Sequence, residues 1–420
     1  VLFRSRILYY ESSRGCPFNC SYCLSSLTQG VKYFPLDRVK EDLDLMIERG
    51  VKRVKFVDRT FNCHAQRFKS IVEHIINRGG QTSFHFVMAA HLLEDDAIEL
   101  LKTAPVGMFQ FEIGIQSTKS KTLKAINRTT DLLKIEDRVK RVKQTGKVRQ
   151  YLDLIAGLPW EDYRRFKESF NFTYNLKPDK VHLGFLKLLK GSGLREEAFR
   201  HGYVFSQKPP YQVIENNYIS YAEILRLKKV EDMVDKFYNS GRFNYVLDFI
   251  IQRYFTQPFE FFERLSDFWY GQGYQLKNHS QYTLYHLLME FYRRCINQDV
   301  ELFQDMVLFQ YFLYYRMEGN IPGLKQDYSV DKETFNMILK ETGLDRRRYS
   351  DGKLMSMKQL KKHITIKVFS HDISAVLKDI KSSPVKRKLY IIFDYSKKHP
   401  ITKEACFIFH NSTKGKGNTK

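Results

Sequence analysis

The stretch RILYYESSRGCPFNCSYC, residues 6–23, decides the fold of the amino-terminal half of the chain. Its first eight residues predict a strand, because apolar and aromatic side chains dominate them. Three cysteines follow in a loop with the spacing CxxxCxxC, at Cys16, Cys20 and Cys23. Structural zinc sites and simple electron-transfer clusters take four protein ligands. A set of three thiolates therefore predicts a centre with one open coordination position.

Strand-like and helix-like segments alternate up to about residue 190. The strand-like segments are rich in β-branched and aromatic residues and are RILYYESS at 6–13, RVKFVD at 53–58, FHFVM at 84–88, FQFEIGI at 109–115, YLDLIA at 151–156 and KVHLGFL at 180–186. Amphipathic helical patterns lie between them. Six strand–helix units in a row predict a parallel sheet that is closed or partly closed into a barrel. The loops after the strands gather at one rim of such a fold and carry its site.

The fourth predicted strand has an apolar side and a polar side. The polar side is formed by Gln110, Glu112, Gly114 and Gln116. Because the apolar side must face the helices, we expect the polar side to line the inside of the barrel. His85, Asp153 and His182 on neighbouring strands are expected to point the same way. Each alone could be a buried polar group with its own partner, but together they favour a polar ligand inside an open barrel.

The remainder of the chain has a different pattern. From about residue 200 to 350, aromatic residues recur at helical spacing, which predicts a helical domain with an aromatic core. KLYIIFDY at 388–395 and EACFIFH at 404–410 predict a terminal β-hairpin, and the tail NSTKGKGNTK is expected to be disordered. The fold class is therefore α/β, with a barrel domain at 1–195, a helical domain at 196–350 and a basic segment at 351–420.

Composition excludes several protein classes. The chain is 43% hydrophobic and 28% charged, as globular proteins are, and no apolar run approaches the roughly 18 residues of a membrane-spanning helix. Six cysteines are too few for a disulfide scaffold and predict a cytoplasmic protein. The net charge of +22 is concentrated in residues 1–200 and 351–420. Such charge can attract nucleic acid, but a Lys-, Tyr- and Phe-rich composition also explains it, and no recognition motif accompanies it.

The cysteine loop resembles the signature of a known family. CPFNCSYC, with Tyr22 before the last cysteine, is similar to the motif of radical S-adenosylmethionine (SAM) enzymes. The resemblance implies a partial barrel of six strand–helix units and a 4Fe–4S cluster on Cys16, Cys20 and Cys23. It further implies that SAM occupies the open iron, and that its reductive cleavage gives a 5′-deoxyadenosyl radical. That radical abstracts hydrogen from a substrate that the barrel shields.

Further motifs extend the resemblance over about residues 6–195. FVDRTFN at 56–62, EIGIQS at 112–117, DLIAGLPWE at 153–161 and LKLLKGSGL after the sixth strand are similar to later family motifs. The resemblance implies that Asp58 and Glu112 contact SAM. It also makes Tyr22, Gln116 and Asp153 candidate cofactor-binding residues.

The whole arrangement is most similar to cobalamin-type radical SAM proteins with an uncharacterised C-terminal domain. In those proteins a cobalamin-binding domain precedes the barrel. This chain begins at Val1 rather than Met, close to the first strand, so we expect a fragment without that domain. Cobalamin is thus an expectation from the family, and no residue of the chain supports it.

Two alternatives remain open. The first is a zinc module that binds nucleic acid, in which His64 completes the three thiolates. The second is an RNA-modifying radical SAM enzyme of the methylthiotransferase kind, because residues 119–149 carry eleven Lys or Arg against three acidic residues. A solvated helix face would have the same charge pattern. We favour a radical SAM enzyme that acts on a small-molecule or lipid-like substrate and takes electrons from a ferredoxin- or flavodoxin-like donor.

Overall fold

The structure, a computed structural model, describes residues 7–28, 30–316, 328–347, 354–383 and 385–410. Their packing divides the chain into two compact units, Val1–Val234 and Asp235–Lys420. The first unit continues past residue 195, where the sequence places the end of the barrel domain, and the boundaries at 195 and 350 stay predictions. None of the helices in the described ranges is long and apolar enough to cross a membrane.

The first unit alternates strands and helices. Its strands are β1 (Ile7–Tyr10), β2 (Ser13–Gly15), β3 (Val31–Tyr33), β4 (Arg53–Phe56), β5 (Ser83–Met88), β6 (Phe109–Gln116), β7 (Arg149–Ala156), β8 (Lys180–Phe185), β9 (Val204–Phe205) and β10 (Val213–Glu215). Its helices are α1 (Leu36–Glu48), α2 (Ala65–Arg78), α3 (Asp95–Lys102), α4 (Ser120–Ala125), α5 (Leu132–Gln144), α6 (Tyr163–Asn175), α7 (Gly193–Glu196) and α8 (Tyr221–Met233). The six strands predicted from the sequence are all present.

The main sheet has six parallel strands in the order β1-β4-β5-β6-β7-β8. Within the described residues β1 and β8 do not pair with each other, so the barrel is partial and open between them. Two antiparallel pairs accompany it. The strands β2 and β3 flank the cysteine loop, and β9 pairs with β10. The second pair lies where the sequence predicts only helices, because strands of two and three residues are too short to show an alternating pattern.

The two sides of the sheet differ as predicted. Phe86, Phe109 and Phe111 are fully buried between the sheet and its helices. The ring of Phe61 stacks on Phe86 with centroids 4.0 Å apart. Burial of such aromatic side chains gives the barrel most of its hydrophobic stabilisation. The opposite side of β6 carries polar side chains, which can therefore contribute to a binding site.

The second unit combines helices with a small sheet. Its helices are α9 (Asn244–Tyr254), α10 (Pro258–Gly271), α11 (Gln281–Cys295), α12 (Val300–Phe312), α13 (Lys332–Glu341), α14 (Met357–His363) and α15 (Ile373–Lys378). Its strands are β11 (Ile364–Phe369), β12 (Leu389–Lys398) and β13 (Ala405–His410), which form an antiparallel sheet in that order. The predicted hairpin of β12 and β13 is confirmed, and β11 is an additional strand that the sequence analysis missed. The predicted disordered tail, 411–420, lies outside the described residues.

Helix α12 is the centre of the second unit. Ten of its 13 residues are buried, and the ring of Phe309 lies 6.0 Å from Phe393 and 5.1 Å from Phe407. The buried carboxylate of Asp305 accepts hydrogen bonds from His371 Nδ1 at 2.8 Å and from the Tyr328 hydroxyl at 3.0 Å. The helices and the terminal strands therefore share one core.

Candidate active site

Asp58 holds the cysteine loop to the sheet. This buried residue follows β4, and its carboxylate accepts hydrogen bonds from the Ser12 amide at 2.9 Å, the Ser12 hydroxyl at 2.7 Å and the Ser13 hydroxyl at 2.5 Å. All three donors lie immediately before the loop, so Asp58 fixes the direction in which the chain leaves β1. The SAM contact that the resemblance implies for Asp58 stays a prediction.

The loop is also fixed at both ends by backbone contacts. Gly15 has φ +104°, and a Cβ added there would lie 2.2 Å from the Gly30 carbonyl oxygen. The Ser21 amide donates to the Ile126 carbonyl at 3.0 Å, and the Leu194 amide donates to the Ser21 carbonyl at 2.9 Å. Segments that follow β6 and β8 therefore position the loop beside the rim of the barrel.

The three thiols have different surroundings. Cys20 is buried, and its Sγ accepts from Arg128 Nη1 at 3.6 Å. Arg128 Nη2 donates to the Gly114 carbonyl at 2.6 Å. Cys16 Sγ lies 3.5 Å from the Thr60 hydroxyl, and both Cys16 and Cys23 are partly exposed. Cysteine thiolates are the usual ligands of iron–sulfur clusters, so this donor set fits such a cluster.

His64 does not join the three thiols. Its Nδ1 accepts from the Arg67 amide at 3.3 Å and caps α2, and its ring contacts Tyr33 edge to face. Across the described ranges, no three His, Cys, Asp or Glu side chains converge on a point that one metal ion could occupy. A closed zinc site needs four convergent ligands, whereas a cluster takes thiolates at separate corners. The geometry therefore speaks against the zinc module.

Glu112 lies on the inner side of β6 between His85 and Lys55. Its Oε2 is 2.8 Å from His85 Nε2 and 3.2 Å from Lys55 Nζ. The hydrogen bond with His85 lowers the pKa of Glu112 to about 2, with Lys55 adding to the effect and burial opposing it. Glu112 is therefore ionised at neutral pH, and the inner wall holds a fixed negative charge.

Asp153 and His182 form a second pair on the inner wall. They are register partners on β7 and β8, and His182 Nδ1 lies 3.0 Å from Asp153 Oδ1. Burial raises the pKa of Asp153, and the hydrogen bond with Asp153 raises the pKa of His182. The pKa of Asp153 is therefore shifted in the direction opposite to that of Glu112.

The other predicted site residues lie close to this wall. Gly114 is the register partner of Asp153, and a Cβ there would lie 2.2 Å from Gln116 Nε2. Gln116 thus closes the end of β6 next to the loop. Tyr22 packs against the apolar cluster that includes Leu123, and burial raises the pKa of its hydroxyl. The structure brings the wall residues together at one rim, and their contacts with a cofactor stay predictions.

Sequence reasoning missed two residues of the site. Arg128 is one of eleven basic residues between 119 and 149, and nothing in the sequence marks it as the one beside Cys20. Glu161 ends the quoted motif DLIAGLPWE, and its Oε1 accepts from the Ser117 hydroxyl at 2.6 Å and the Ser169 hydroxyl at 2.8 Å. Burial raises the pKa of Glu161 to about 7. Its contacts connect the residue after β6 to α6.

Comparison with protein families now identifies the amino-terminal unit. Residues 10–173 match the radical SAM superfamily. The chain carries a radical SAM domain. Residues 199–393 match a second family, described as a protein of unknown function (DUF4080). The predicted membership of the superfamily, the prediction of an enzyme and the prediction of an uncharacterised C-terminal domain are therefore confirmed.

Relatives with curated descriptions align with the radical SAM domain. An uncharacterised methyltransferase of Pyrococcus horikoshii is 26% identical over 198 residues, which cover 46% of this chain and 42% of the relative. A probable threonylcarbamoyladenosine tRNA methylthiotransferase of Methanocaldococcus jannaschii is 25% identical over 178 residues, which cover 40% of this chain and 42% of the relative. The chain thus spans less than half the length of these relatives.

Solved structures of radical SAM proteins also resemble the chain. The methyltransferase TsrM of Kitasatospora setae, solved with tryptophan and a SAM analogue, aligns with a TM-score of 0.43 and 14% identity over 50% of this chain and 42% of its own. The cobalamin-dependent radical SAM enzyme OxsB aligns with a TM-score of 0.43 and 13% identity over 84% of this chain and 57% of its own.

The Gly15 contact leads to a testable prediction. Gly15→Ala forces a Cβ into the Gly30 carbonyl at a positive φ, so we expect the loop to shift and the iron and sulfide content after anaerobic reconstitution to fall by more than about half. Gly146→Ala is the matched control, because Gly146 also has a positive φ but no atom within 4 Å of an added Cβ. Equal iron content in the two variants would contradict the prediction.

Arg128 leads to a second prediction. Arg128→Met removes the positive charge beside Cys20, so a cluster bound there should become harder to reduce. We expect a lower reduction potential in an anaerobic redox titration followed by electron paramagnetic resonance, with Arg128→Lys intermediate. Arg165→Met, which removes an exposed charge paired with Glu168, is the control. An unchanged potential in Arg128→Met would show that the guanidinium does not act on the cluster.

Proposed function

We propose that the protein binds a 4Fe–4S cluster through Cys16, Cys20 and Cys23 and cleaves SAM reductively to act on a small molecule inside the barrel. The observation that carries this proposal is the placement of three free thiols at the rim of a partial barrel with a polar inner wall. Three thiolates leave one iron for SAM, and cluster and SAM together supply a 5′-deoxyadenosyl radical when bound.

The side chains of the chain have separate roles in this proposal. Asp58 orients the loop through Ser12 and Ser13. Arg128 offsets negative charge at Cys20. Glu112, ionised at neutral pH, is the acceptor that we assign to a polar group of SAM. Gln116 and Asp153 continue the same wall toward the substrate, and Tyr22 helps to exclude water from the loop.

Several finer features belong to the same proposal. We expect electrons from a ferredoxin- or flavodoxin-like donor and a cytoplasmic location, since a low-potential cluster of this kind is sensitive to oxygen. Cobalamin stays an expectation from the family resemblance. The reaction could be a methylation or a rearrangement, and both begin from the same radical.

A second candidate is modification of RNA, which the description of the methylthiotransferase relative favours. The basic run at 119–149 is in part neutralised in the structure, because Arg138 and Arg141 both pair with Asp95, and Lys140 pairs with Glu136. These pairs are typical of a solvated helix face. The RNA candidate is therefore supported more by the description of the relative than by the charge on the protein surface.

Titration with tRNA separates the two candidates. An RNA-modifying enzyme should bind tRNA with an affinity that falls by about tenfold or more between 50 and 200 mM salt, because several phosphate contacts release counterions. We expect only weak binding, with the same low affinity for Lys134→Gln, an exposed position in the basic run. Tight, salt-dependent binding that weakens in that variant would favour the RNA candidate.

The proposal itself is tested by anaerobic reconstitution with iron and sulfide, followed by reduction in the presence of SAM. We expect a brown protein that forms 5′-deoxyadenosine, and a loss of at least about 100-fold in Cys20→Ala, because one cluster corner loses its ligand. Cys295→Ala is the control, since this free thiol lies in the second unit and outside the motif. A colourless protein that retains zinc and forms no 5′-deoxyadenosine would refute the proposal.

A further inference from the structure

We propose that the inside of the barrel has a second binding feature, a cationic floor of Arg53, Arg149 and Lys180 that binds a carboxylate or phosphate group of a small-molecule ligand. That this ligand is the substrate rests on the function proposed above. The floor lies at the amino ends of the strands, whereas the cysteine loop lies beyond their carboxyl ends.

Strand alternation places the three cations inside the barrel. Every second residue of a strand points to the same side. On β7, Arg149 therefore shares the inner side with Tyr151 and Asp153. On β8, Lys180 shares it with His182, which pairs with Asp153 in register.

Arg53 and Lys55 share the inner side of β4 in the same way, and Lys55 reaches Glu112 there. Arg53, Arg149 and Lys180 each begin their strand. Lys180 is level with Glu112, since both are register partners of Tyr151, and Arg149 lies two residues below Tyr151 on β7. The three cations therefore form a group at the amino ends of the strands.

The cations surround one aromatic side chain. Lys180 Nζ lies 5.2 Å from the ring centroid of Tyr151, and this ring contacts His182 and His85 at centroid distances of 5.4 and 6.2 Å. Burial raises the pKa of Tyr151, while the positive charges of Arg149 and Arg53 act in the opposite direction. The ring thus connects the floor to the two histidines above it.

The acidic groups nearby are already engaged. Glu112 is paired with Lys55 and lies 2.8 Å from His85 Nε2, and Asp153 is hydrogen-bonded to His182. Asp179, the acid that acts on the Tyr151 hydroxyl, accepts from the Gln150 amide at 2.7 Å.

Arg53 and Lys180, in contrast, have no carboxylate within 4.0 Å in the described part of the chain. Positive charges gathered in a partly enclosed space attract an anion more strongly than the same charges on an open surface, because the low-dielectric walls concentrate their field. Arg53 is exposed to solvent, so an anion can reach the floor.

The strand register also gives a length for the ligand. Gln116, at the rim, pairs with Leu154, which lies three residues beyond Tyr151, the register partner of Lys180, and five residues beyond Arg149. At about 3.3 Å per residue the rim lies about 10 Å from the level of Lys180 and about 16 Å from that of Arg149. An extended ligand bound to the floor thus presents to the rim a carbon about 10–16 Å from its anionic group.

The test measures binding of inorganic phosphate and of succinate to the reconstituted full chain by anaerobic calorimetry. We expect binding of at least one anion, weakened about tenfold or more in the double variant Arg53→Gln/Lys180→Gln. The charge-conserving variant Arg53→Lys/Lys180→Arg should retain binding and controls for folding. Lys52 is exposed and precedes Arg53, so its side chain points to the side opposite that of Arg53. Lys52→Gln should therefore change the affinity for the anion less than about twofold.

Each outcome decides the proposal. A preference for phosphate or for succinate identifies the group that the floor recognises. Equal affinity in Arg53→Gln/Lys180→Gln and Lys52→Gln, or binding of tRNA with no binding of either small anion, would overturn it. Formation of 5′-deoxyadenosine without substrate is measured in parallel in the unmodified protein and in Lys52→Gln, and should be the same in both. Its absence from the unmodified protein would count against the proposed function and leave the anion result standing.

Discussion

The site depends on the hydrogen bonds from Ser12 and Ser13 to the buried carboxylate of Asp58. A buried carboxylate is costly unless it is fully hydrogen-bonded, and bonds to a charged group contribute about 1.5–3 kcal/mol each. Among the described residues of the main sheet β1 pairs only with β4, and the chain after β1 is held by the β2–β3 pair and by Asp58. Asp58 lies two residues after the end of β4. It therefore fixes the position of the cysteine loop relative to the sheet. The remaining loop contacts, from Ser21 to the segments after β6 and β8, complete this positioning.

The polar wall results from the alternation of apolar and polar side chains along β6. The side of β6 that carries Phe109 and Phe111 provides the hydrophobic core, and the other side carries Glu112 and Gly114. The two carboxylates of the wall have different environments: the hydrogen bond with His85 and the charge of Lys55 lower the pKa of Glu112, whereas burial raises the pKa of Asp153. Different environments of this kind allow similar groups to perform different tasks. Glu112 is suited to hold a fixed charge, and Asp153 is held by its hydrogen bond with His182.

The sequence predicts those parts of the fold that depend on regular local patterns. The six strands could be located because each has several alternating or β-branched residues, and Glu112, Gln116 and Asp153 followed from that alternation. Arg128 could not be found, because its contact with Cys20 joins residues far apart in sequence, and its charge is the same as that of ten neighbours between 119 and 149. Strand β11 was missed because ITIKVF directly follows the basic helix α14, and its pairing with β12 depends on tertiary packing.

The two ends of the barrel have different chemistry. The family motifs lie at the carboxyl ends of the strands, where Asp58, Gln116 and the cysteine loop are found, and these residues suit the generation of a radical. Arg53, Arg149 and Lys180 lie at the beginnings of their strands and outside those motifs. Substitutions at the floor leave the contacts of the rim intact, because the two groups of residues are separated by about 10–16 Å along the strands. Under the proposed function, a barrel of this kind can therefore change the ligand that it binds without changing the residues of its rim.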